Sequence, residues 1–168
     1  MICFARGEMI AGSDLNGGEQ QMKAVIIFAS THHGNTKKVV DAIADECGVE
    51  LVDATAVREK ELSDYDLIGF ASGIYAARFH PDVVAFAQKN LPQDKKIFYI
   101  STSAMNRDFS KSMNELLKDK HATVTGRFSC KGYNTFGPFK LIGGTGKGHP
   151  DETDLRNAVA FYKGLIGS

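Results

Sequence analysis

Short apolar runs alternate with longer segments of helical spacing from Met22 to the end of the chain. The run Ala24–Ala29 is continuously apolar and β-branched in its middle, which is typical of a strand buried on both faces of a sheet. Residues 35–47 follow with apolar positions on one helical face, and Gly48 stands where that helix would end. Together these segments predict a strand–helix unit, and the unit recurs along the chain.

The recurring unit predicts an alternation of strands and helices over the whole chain. Strands are expected at 24–29, 49–52, 67–71, 96–100 and 122–128, and helices at 35–47, from His80-Pro81 onwards, at 109–117 and at 151–165. One or two helical turns are also expected within 54–65. Strands that alternate with helices form parallel sheets with right-handed crossovers. The predicted fold class is therefore α/β, a doubly wound five-stranded parallel sheet of order 2-1-3-4-5 with helices on both faces and a ligand crevice at the carboxyl ends of its strands.

Residues 1–21 differ from this pattern and are predicted to form an N-terminal extension, separate from a domain at 22–168. They lack periodicity, and with Arg6 as their only cation they lack the positive region of a signal peptide. Two explanations stay open. The segment is either a purification tag, although it has no His run, or the product of a start codon assigned too early, with Met22 as the true start.

Composition and charge exclude several classes of function. The chain has 168 residues, and its 20 Lys and Arg balance 20 Asp and Glu, so the formal net charge is zero. A nucleic-acid-binding protein would need a basic stripe, so nucleic acid is not an expected partner. No apolar run approaches the roughly 20 residues of a membrane span. The three cysteines, Cys3, Cys47 and Cys130, are far apart without metal-binding spacing, so reduced thiols and a cytoplasmic location are expected.

A string of small polar residues joins the first strand to the first helix: Ser30, Thr31, His32, His33, Gly34, Asn35 and Thr36. A helix N-terminus offers free backbone N–H groups and the positive end of the helix dipole to an anion. Gly34 permits close approach of the backbone, and the hydroxyls and the amide add donors. The string therefore predicts a monophosphate site, and the competing interpretation is that these residues only cap the helix. The two histidines are expected to line the loop rather than to bind a metal, because adjacent side chains point in different directions.

This string resembles the phosphate-binding loop of flavodoxins, which is usually written T-x-T-G-N-T. Residues 31–36 match it outright in the final G-N-T, and the two histidines make the loop one residue longer. The chain is therefore similar to a flavodoxin subgroup that carries H-H-G-N-T, and the likeness extends over residues 22–168. The resemblance implies flavin mononucleotide (FMN) as the cofactor.

The resemblance also implies two segments that hold the flavin ring. In flavodoxins the loop after the third strand covers one face of the ring, and here that loop contains Ser72, Gly73, Ile74 and Tyr75. Tyr75 is the natural aromatic cover, and its competing interpretation is an ordinary loop aromatic packed on the core. The loop after the fourth strand holds the pyrimidine edge in the family, and here it contains the small residues Ser101, Thr102, Ser103 and Ala104, whose alternative role is to cap the next helix. The glycine-rich segment 131–150 is interpreted as a flap beside the flavin.

The implied function is electron transfer by an FMN-binding flavodoxin-like protein, with a redox partner protein or a small-molecule electron acceptor. Carrier flavodoxins are usually strongly acidic, and this chain is not. An alternative therefore stays open, an FMN-dependent NAD(P)H/quinone-type oxidoreductase, including the protoporphyrinogen oxidases of flavodoxin type. Whether the protein is an enzyme is left open, with a carrier favoured. A response-regulator receiver is disfavoured because Ala29-Ser30-Thr31 and Ala71-Ser72 stand where it needs carboxylates, and the complete phosphate loop disfavours a pure interaction module.

Overall fold

The computed structural model describes residues 22–105, 107–135, 141 and 143–167. The expected extension at residues 1–21 lies outside the described residues and stays a prediction. In chain order the elements are β1 (Ala24–Ala29), α1 (Asn35–Cys47), β2 (Glu50–Asp53), β3 (Leu67–Tyr75), β4 (Arg78–Phe79), α2 (Pro81–Asn90), β5 (Lys96–Ser103), α3 (Lys111–Leu116), β6 (Thr123–Lys131) and α4 (Glu152–Ile166), with a short 3₁₀ turn, Lys118–Lys120, after α3. None of the helices within these ranges is both long and apolar enough to cross a membrane.

Five of the strands form one parallel sheet in the order β2-β1-β3-β5-β6. With β5 and β6 as the fourth and fifth parallel strands, this confirms the doubly wound order predicted from the sequence. The register places Ala29 beside Ser72, and Gly73 beside Thr102. The carboxyl ends of β1, β3 and β5 therefore meet at one edge of the sheet, which is where ligands bind in folds of this kind.

Apolar side chains fill a core on each face of the sheet. Along β1, Val25 and Ile27 face one core while Ile26 faces the other, as the two-residue repeat of a strand requires. Helices α2 and α3 cover the first face, and α1 and α4 cover the second. Each such side chain stabilises the fold by about 1.5–3 kcal/mol when fully buried. Packing on both faces thus holds in place the strand ends that carry the site.

Of the one or two helical turns expected within 54–65, a single turn is present, in which the N–H groups of Ala56 and Val57 donate to the Asp53 carbonyl, and no helix follows it. Beyond this turn the chain is irregular, apart from a tight turn at residues 63–64. Asp53 Oδ1 accepts hydrogen bonds from the backbone N–H and the hydroxyl of Thr55, and Glu61 Oε1 accepts the same pair from Ser63. Because these short-range side-chain bonds give the backbone N–H groups another partner, they compete with a helix.

A short sixth strand is present that the sequence pattern does not predict. β4 runs antiparallel to the end of β3 and pairs Arg78 with Tyr75. The two residues between them, Ala76 and Ala77, both have positive φ, at 47° and 61°. Positive φ at both central residues is what a tight type I′ hairpin turn requires. Alanine gives no sign of such a turn in the sequence, where Asn-Gly would have done so.

Three of the parallel strands extend further than predicted. β3 continues to Tyr75, β5 to Ser103 and β6 to Lys131, beyond the expected ranges 67–71, 96–100 and 122–128. In these extensions Ser72 pairs with Ser101 and Gly73 with Thr102, whereas the last two residues of β3 pair with β4 and the last residue of β5 pairs with β6. Backbone pairing with a neighbouring strand here overrides the low strand propensity of Ser and Gly. Polar residues interpreted as loop are therefore the last residues of strands, which makes the walls of the crevice more regular than expected.

Candidate functional site

The turn between β1 and α1 presents backbone N–H groups at the carboxyl edge of the sheet. His33 and Gly34 adopt left-handed backbone conformations, with φ of 55° and 66°, and lead directly into the first turn of α1. Within the described chain, the N–H groups of Gly34, Asn35 and Thr36 donate to no protein acceptor. Open N–H groups at the positive end of a helix dipole attract an anion.

One side chain of this turn caps the helix, as the competing interpretation of these residues predicted. Ser30 Oγ accepts a hydrogen bond from the backbone N–H of Lys37 at 3.1 Å. The N-cap residue itself, Gly34, makes no side-chain cap. Capping thus accounts for one polar residue of the turn and leaves the N–H groups before Lys37 available to a ligand.

A pocket of about 260 Å³ opens beside this turn. Its lining includes most of the residues predicted for the cofactor, which are Ser30, His32, Asn35, Thr36, Gly73, Ile74, Tyr75, Thr102, Ser103 and Ala104. Three segments that are distant in the sequence are therefore brought together at the carboxyl ends of β1, β3 and β5.

The other predicted residues lie beside the pocket and not in its lining: Thr31, His33, Gly34, Ser72 and Ser101. Ser72 is fully buried, and its Oγ accepts a hydrogen bond from the N–H of His80 at 2.8 Å. This bond ties the start of α2 to the end of β3. Ser101 lies on β5 next to Thr102, and successive side chains of a strand point to opposite faces, so Ser101 faces the other side of the sheet.

Tyr75 forms one wall of the pocket at the end of β3. Its hydroxyl is hydrogen-bonded to Thr31 Oγ1 at 2.9 Å, and its ring centre lies 5.7 Å from that of His32. A Cβ atom added to Gly73 would lie 3.2 Å from the Tyr75 hydroxyl. The missing side chain at Gly73 therefore gives the tyrosine ring room to lie across the end of the strand.

A further wall comes from the segment that the sequence assigned to a flap. Gly132, Tyr133 and Asn134 follow β6 and line the pocket. Asn35 Nδ2 donates a hydrogen bond to the Tyr133 carbonyl at 2.8 Å, and the His33 ring centre lies 4.6 Å from that of Tyr133. The order of the strands could have predicted this wall. β6 lies next to β5, so its carboxyl end reaches the same edge of the sheet.

A buried hydrogen-bond acceptor in the lining has no protein partner. Asn35 Oδ1 is buried and makes no hydrogen bond to any described part of the chain. The two ends of this amide are not interchangeable, because Nδ2 is bound to the Tyr133 carbonyl. An unpaired buried acceptor costs about 1–3 kcal/mol, so a ligand hydroxyl that donates to it would be stabilised. The site thus fits a ligand that carries both an anionic group and hydroxyl groups.

A cluster of His149, Asp151 and Asp154 lies behind this wall. Asp151 is the N-cap of α4 and forms a reciprocal capping box with Asp154, and His149 Nδ1 lies 2.7 Å from Asp154 Oδ2. The His149 carbonyl accepts the N–H of Tyr133 at 3.0 Å. The cluster therefore ties the pocket wall to the start of α4.

Two titratable groups near the strand ends stay neutral at ordinary pH. Burial, with Asp154 and Asp151 adding to it, raises the pKa of the Cys130 thiol to about 12. Burial also raises the pKa of Tyr99 to about 12. Because a thiolate is the reactive form of cysteine, Cys130 is not suited to nucleophilic chemistry. It packs in the second core instead.

Comparison with known proteins gives the family from the sequence and the same fold among solved structures. A family model described as a flavodoxin domain matches residues 26–137. An uncharacterized protein of Methanocaldococcus jannaschii is 40% identical over 148 residues, which are 86% of this chain and 99% of that protein. A solved flavodoxin from the domain Archaea has a TM-score of 0.57 at 18% identity, covering 87% of this chain and 97% of its own. A Streptococcus pneumoniae flavodoxin has a TM-score of 0.58 at 19% identity, covering 86% and 97%.

The doubly wound sheet and the open helix N-terminus at its carboxyl edge define an α/β protein with a crevice suited to an anionic ligand. The family match spans well over half of the chain, so the protein belongs to the flavodoxin family. Membership of this family implies a flavin cofactor.

Proposed function

We propose that the protein binds FMN in this pocket and transfers electrons through it as a carrier. The phosphate would be held by the turn at 30–36, the ribityl hydroxyls by Asn35, and the ring by the segments 73–75 and 102–104, which line the pocket. FMN, when bound, supplies reversible one- or two-electron transfer. The protein supplies the position of the ring and the surroundings that set its potentials.

One observation carries the proposal. Three consecutive backbone N–H groups and one buried side-chain acceptor, all at the start of α1, have no partner among the described residues. A phosphate accepts hydrogen bonds from N–H groups, and a sugar alcohol donates them to an amide oxygen. FMN carries both groups on one chain, which matches this pairing of donors and acceptor.

Other side chains would orient the cofactor. Thr36 and Thr102 are hydrogen-bonded through their hydroxyls at 2.9 Å, and both are buried. This bond fixes the start of α1 against the end of β5, so the distance between the phosphate site and the ring site is set by the fold. Tyr75 would cover a face of the ring, and an aromatic cover raises the cost of adding negative charge to a flavin.

Gly34 offers a matched pair of variants that tests the phosphate assignment. A Cβ atom at Gly34 would meet no protein atom within 4 Å, and Asn and Asp accept positive φ better than other residues. We expect Gly34→Asn to keep the FMN dissociation constant within about tenfold, while Gly34→Asp raises it at least about a hundredfold, because the carboxylate repels the phosphate at short range. Quenching of FMN fluorescence measures both constants.

Riboflavin, which lacks the phosphate, is the control ligand for this pair. The dissociation constant for riboflavin should change by the same factor in Gly34→Asn and in Gly34→Asp. Equal FMN affinities in the two variants would place the phosphate elsewhere. A parent protein that binds neither FMN nor riboflavin would overturn the proposed function itself.

Electron transfer is tested on the FMN-loaded protein. A carrier is reduced rapidly by a flavodoxin reductase and shows no steady-state turnover of NADH or NADPH with a quinone. Turnover of these substrates would assign the protein to the quinone-type oxidoreductases instead.

A further inference from the structure

A second cavity lies directly behind the flavin pocket. Thr102 lines the flavin pocket, and its neighbour Ser101 lines a cavity of about 210 Å³ on the opposite face of β5. The buried rings of Phe79 and Tyr99 also line this cavity, with their centres 5.7 Å apart. The cavity therefore opens at the same edge of the sheet as the flavin pocket, separated from it by a single strand.

Two arginines at this cavity have guanidinium nitrogens without partners. Arg127 Nε donates a hydrogen bond to Ser110 Oγ at 2.8 Å and lies 3.6 Å from Asp108 Oδ2. Ser110 is buried, so this bond fixes the direction of the Arg127 side chain. The terminal nitrogens of Arg127, and the whole guanidinium of Arg107, form no hydrogen bond within the part of the chain that the structure describes. The cavity mouth holds two cations and one carboxylate, so its net charge is positive.

Two more cations lie at the same edge. Arg78 stands at the end of the hairpin opposite Tyr75, and Lys131 ends β6 opposite Ser103. Both are exposed, and neither has an ion-pair partner among the described residues. We define Arg78, Arg107, Arg127 and Lys131 as the basic patch.

Many cations elsewhere on the molecule are paired with carboxylates, namely Lys37, Arg58, Lys60, Lys89, Arg156 and Lys163. Unpaired lysines also occur away from the pocket, such as Lys118 and Lys120, so the basic patch is distinguished by having four cations close to the pocket with Asp108 as its one ion-paired carboxylate among the described residues. The carboxylates of Asp151 and Asp154, across β6 from the patch, are engaged by His149 and by the capping box of α4. A chain of zero net charge thus presents uncompensated positive charge beside its flavin site.

From this arrangement, and resting on the proposed function, we propose that the redox partner is an acidic protein that docks on the basic patch. Carboxylates on the partner would meet the four cations, and one of them would enter the cavity between Arg107 and Arg127. Uncompensated charge around a site steers an oppositely charged protein and raises its association rate by about 10–10³-fold at low salt. Docking here would bring the partner to the edge of the pocket that holds the flavin.

Two double variants with the same change of charge test the proposal. Arg78→Glu with Lys131→Glu reverses two exposed, unpaired members of the basic patch. Lys118→Glu with Lys120→Glu makes the same change at the opposite edge, because Lys120 lies next to Asp94, just before β5 begins. Arg107→Gln removes one charge from the cavity.

The kinetic measurement uses two small haem proteins of opposite charge. The FMN-loaded protein is reduced with a stoichiometric amount of dithionite and mixed in a stopped-flow instrument with ferric cytochrome b5, which is acidic, or ferric cytochrome c, which is basic. Each electron that leaves the reduced protein converts one ferric haem to the ferrous form. Uncharged p-benzoquinone is the reference acceptor, because its rate does not depend on surface charge.

We expect the patch variant to slow reduction of cytochrome b5 by about tenfold or more at low ionic strength, and the control variant to change it by less than about twofold. The difference should disappear at about 0.5 M salt, where screening is nearly complete over a few ångströms. With cytochrome c the patch variant should be the faster protein. Arg107→Gln should lie between the parent and the patch variant with cytochrome b5.

A binding measurement that needs no flavin accompanies the kinetics. In the isotope-labelled protein, cytochrome b5 should shift amide signals around Arg78, Arg107 and Lys131, and the patch variant should abolish these shifts. If the patch and control variants behave alike with both haem proteins while p-benzoquinone is still reduced, the docking proposal is wrong and the proposed function stands. If the protein takes up no FMN, the proposed function fails and the signal shifts alone decide the docking proposal.

Discussion

Tyr75 combines two roles at the level of a single residue. Its hydroxyl reaches Thr31 in the turn between β1 and α1, and its ring lies over Gly73 at the end of β3. The side chain therefore connects the two parts of the pocket that would hold opposite ends of the flavin. The sequence predicted an aromatic cover at this position, but the link to Thr31 depends on the register of β3 beside β1, which the sequence pattern did not contain.

Removing the Tyr75 ring tests the covering role. We expect Tyr75→Ala to weaken FMN binding by about tenfold, since an aromatic contact contributes about 0.5–1.5 kcal/mol, and to raise the potential of full flavin reduction. Tyr75→Phe keeps the ring and should stay within about threefold of the parent. Fluorescence titration and redox titration measure these effects, and an unchanged affinity in Tyr75→Ala would assign Tyr75 to core packing.

Cys130 gives a second prediction at the residue scale. Burial raises the pKa of its thiol to about 12, so at about pH 8 almost none of it is thiolate. Iodoacetamide should therefore leave Cys130 unmodified in the native protein and modify it after denaturation in urea. Of the two cysteines that the structure describes, Cys47 is only partly buried and should react before Cys130 in the native state. Peptide mass spectrometry measures both sites, and rapid native alkylation of Cys130 would contradict its burial.

At the scale of elements, replacing a glycine by alanine should have opposite effects on stability in a strand and in a helix. A Cβ atom at Gly69, in the middle of β3, would collide with the Phe98 ring on β5. Gly69→Ala should therefore destabilise the protein by about 1–3 kcal/mol. Gly164 lies exposed in α4 with no atom near its would-be Cβ, and Gly164→Ala should stabilise by about 0.8–1 kcal/mol. Urea denaturation measures both, and effects of the same sign would contradict this packing.

A residue of the edge strand β2 leads to a prediction about how the stability of the fold depends on pH. Hydrogen bonds from Tyr65 and Lys60 lower the pKa of Glu50 from its usual 4.5. Because the folded pKa lies below the unfolded one, this stabilisation is complete above about pH 4.5 and is lost as the pH falls through the folded value. The difference in melting temperature between the parent and Glu50→Gln should therefore narrow as the pH falls below that point. A constant difference would show that the ionised form of Glu50 is not involved.

The elements that the sequence predicted well are those that packing determines. The buried run of β1 and the apolar face of α1 carry their own periodicity, and the structure has both where they were expected. The hairpin at Ala76-Ala77 was missed because its backbone conformation is imposed by the neighbouring strands. Of the one or two turns of helix expected within 54–65, only one is present, because local side-chain bonds, which have no periodicity, compete with a helix there.

At the scale of the molecule, the site follows from the order of the strands. The phosphate turn was visible in the sequence because its residues are contiguous, and the ends of β3 and β5 were reached through the resemblance to flavodoxins. The wall at Gly132, Tyr133 and Asn134 was interpreted only as a flap, because it depends on where β6 ends relative to β5. The basic patch could not be found by counting charges, since the total is zero and the patch depends on which cations the fold brings to the same edge of the sheet.

An uneven distribution of charge gives a molecule a preferred direction in an electric field. On an electrode coated with carboxylate-terminated chains, this protein should adsorb with Arg78, Arg107 and Lys131 towards the metal, and so with the opening of its crevice towards the metal. A coating of amine-terminated chains should turn it the other way and lengthen the path for electrons. Voltammetry on the two coatings would measure this difference in orientation, which depends on a few unpaired side chains, as a difference in current.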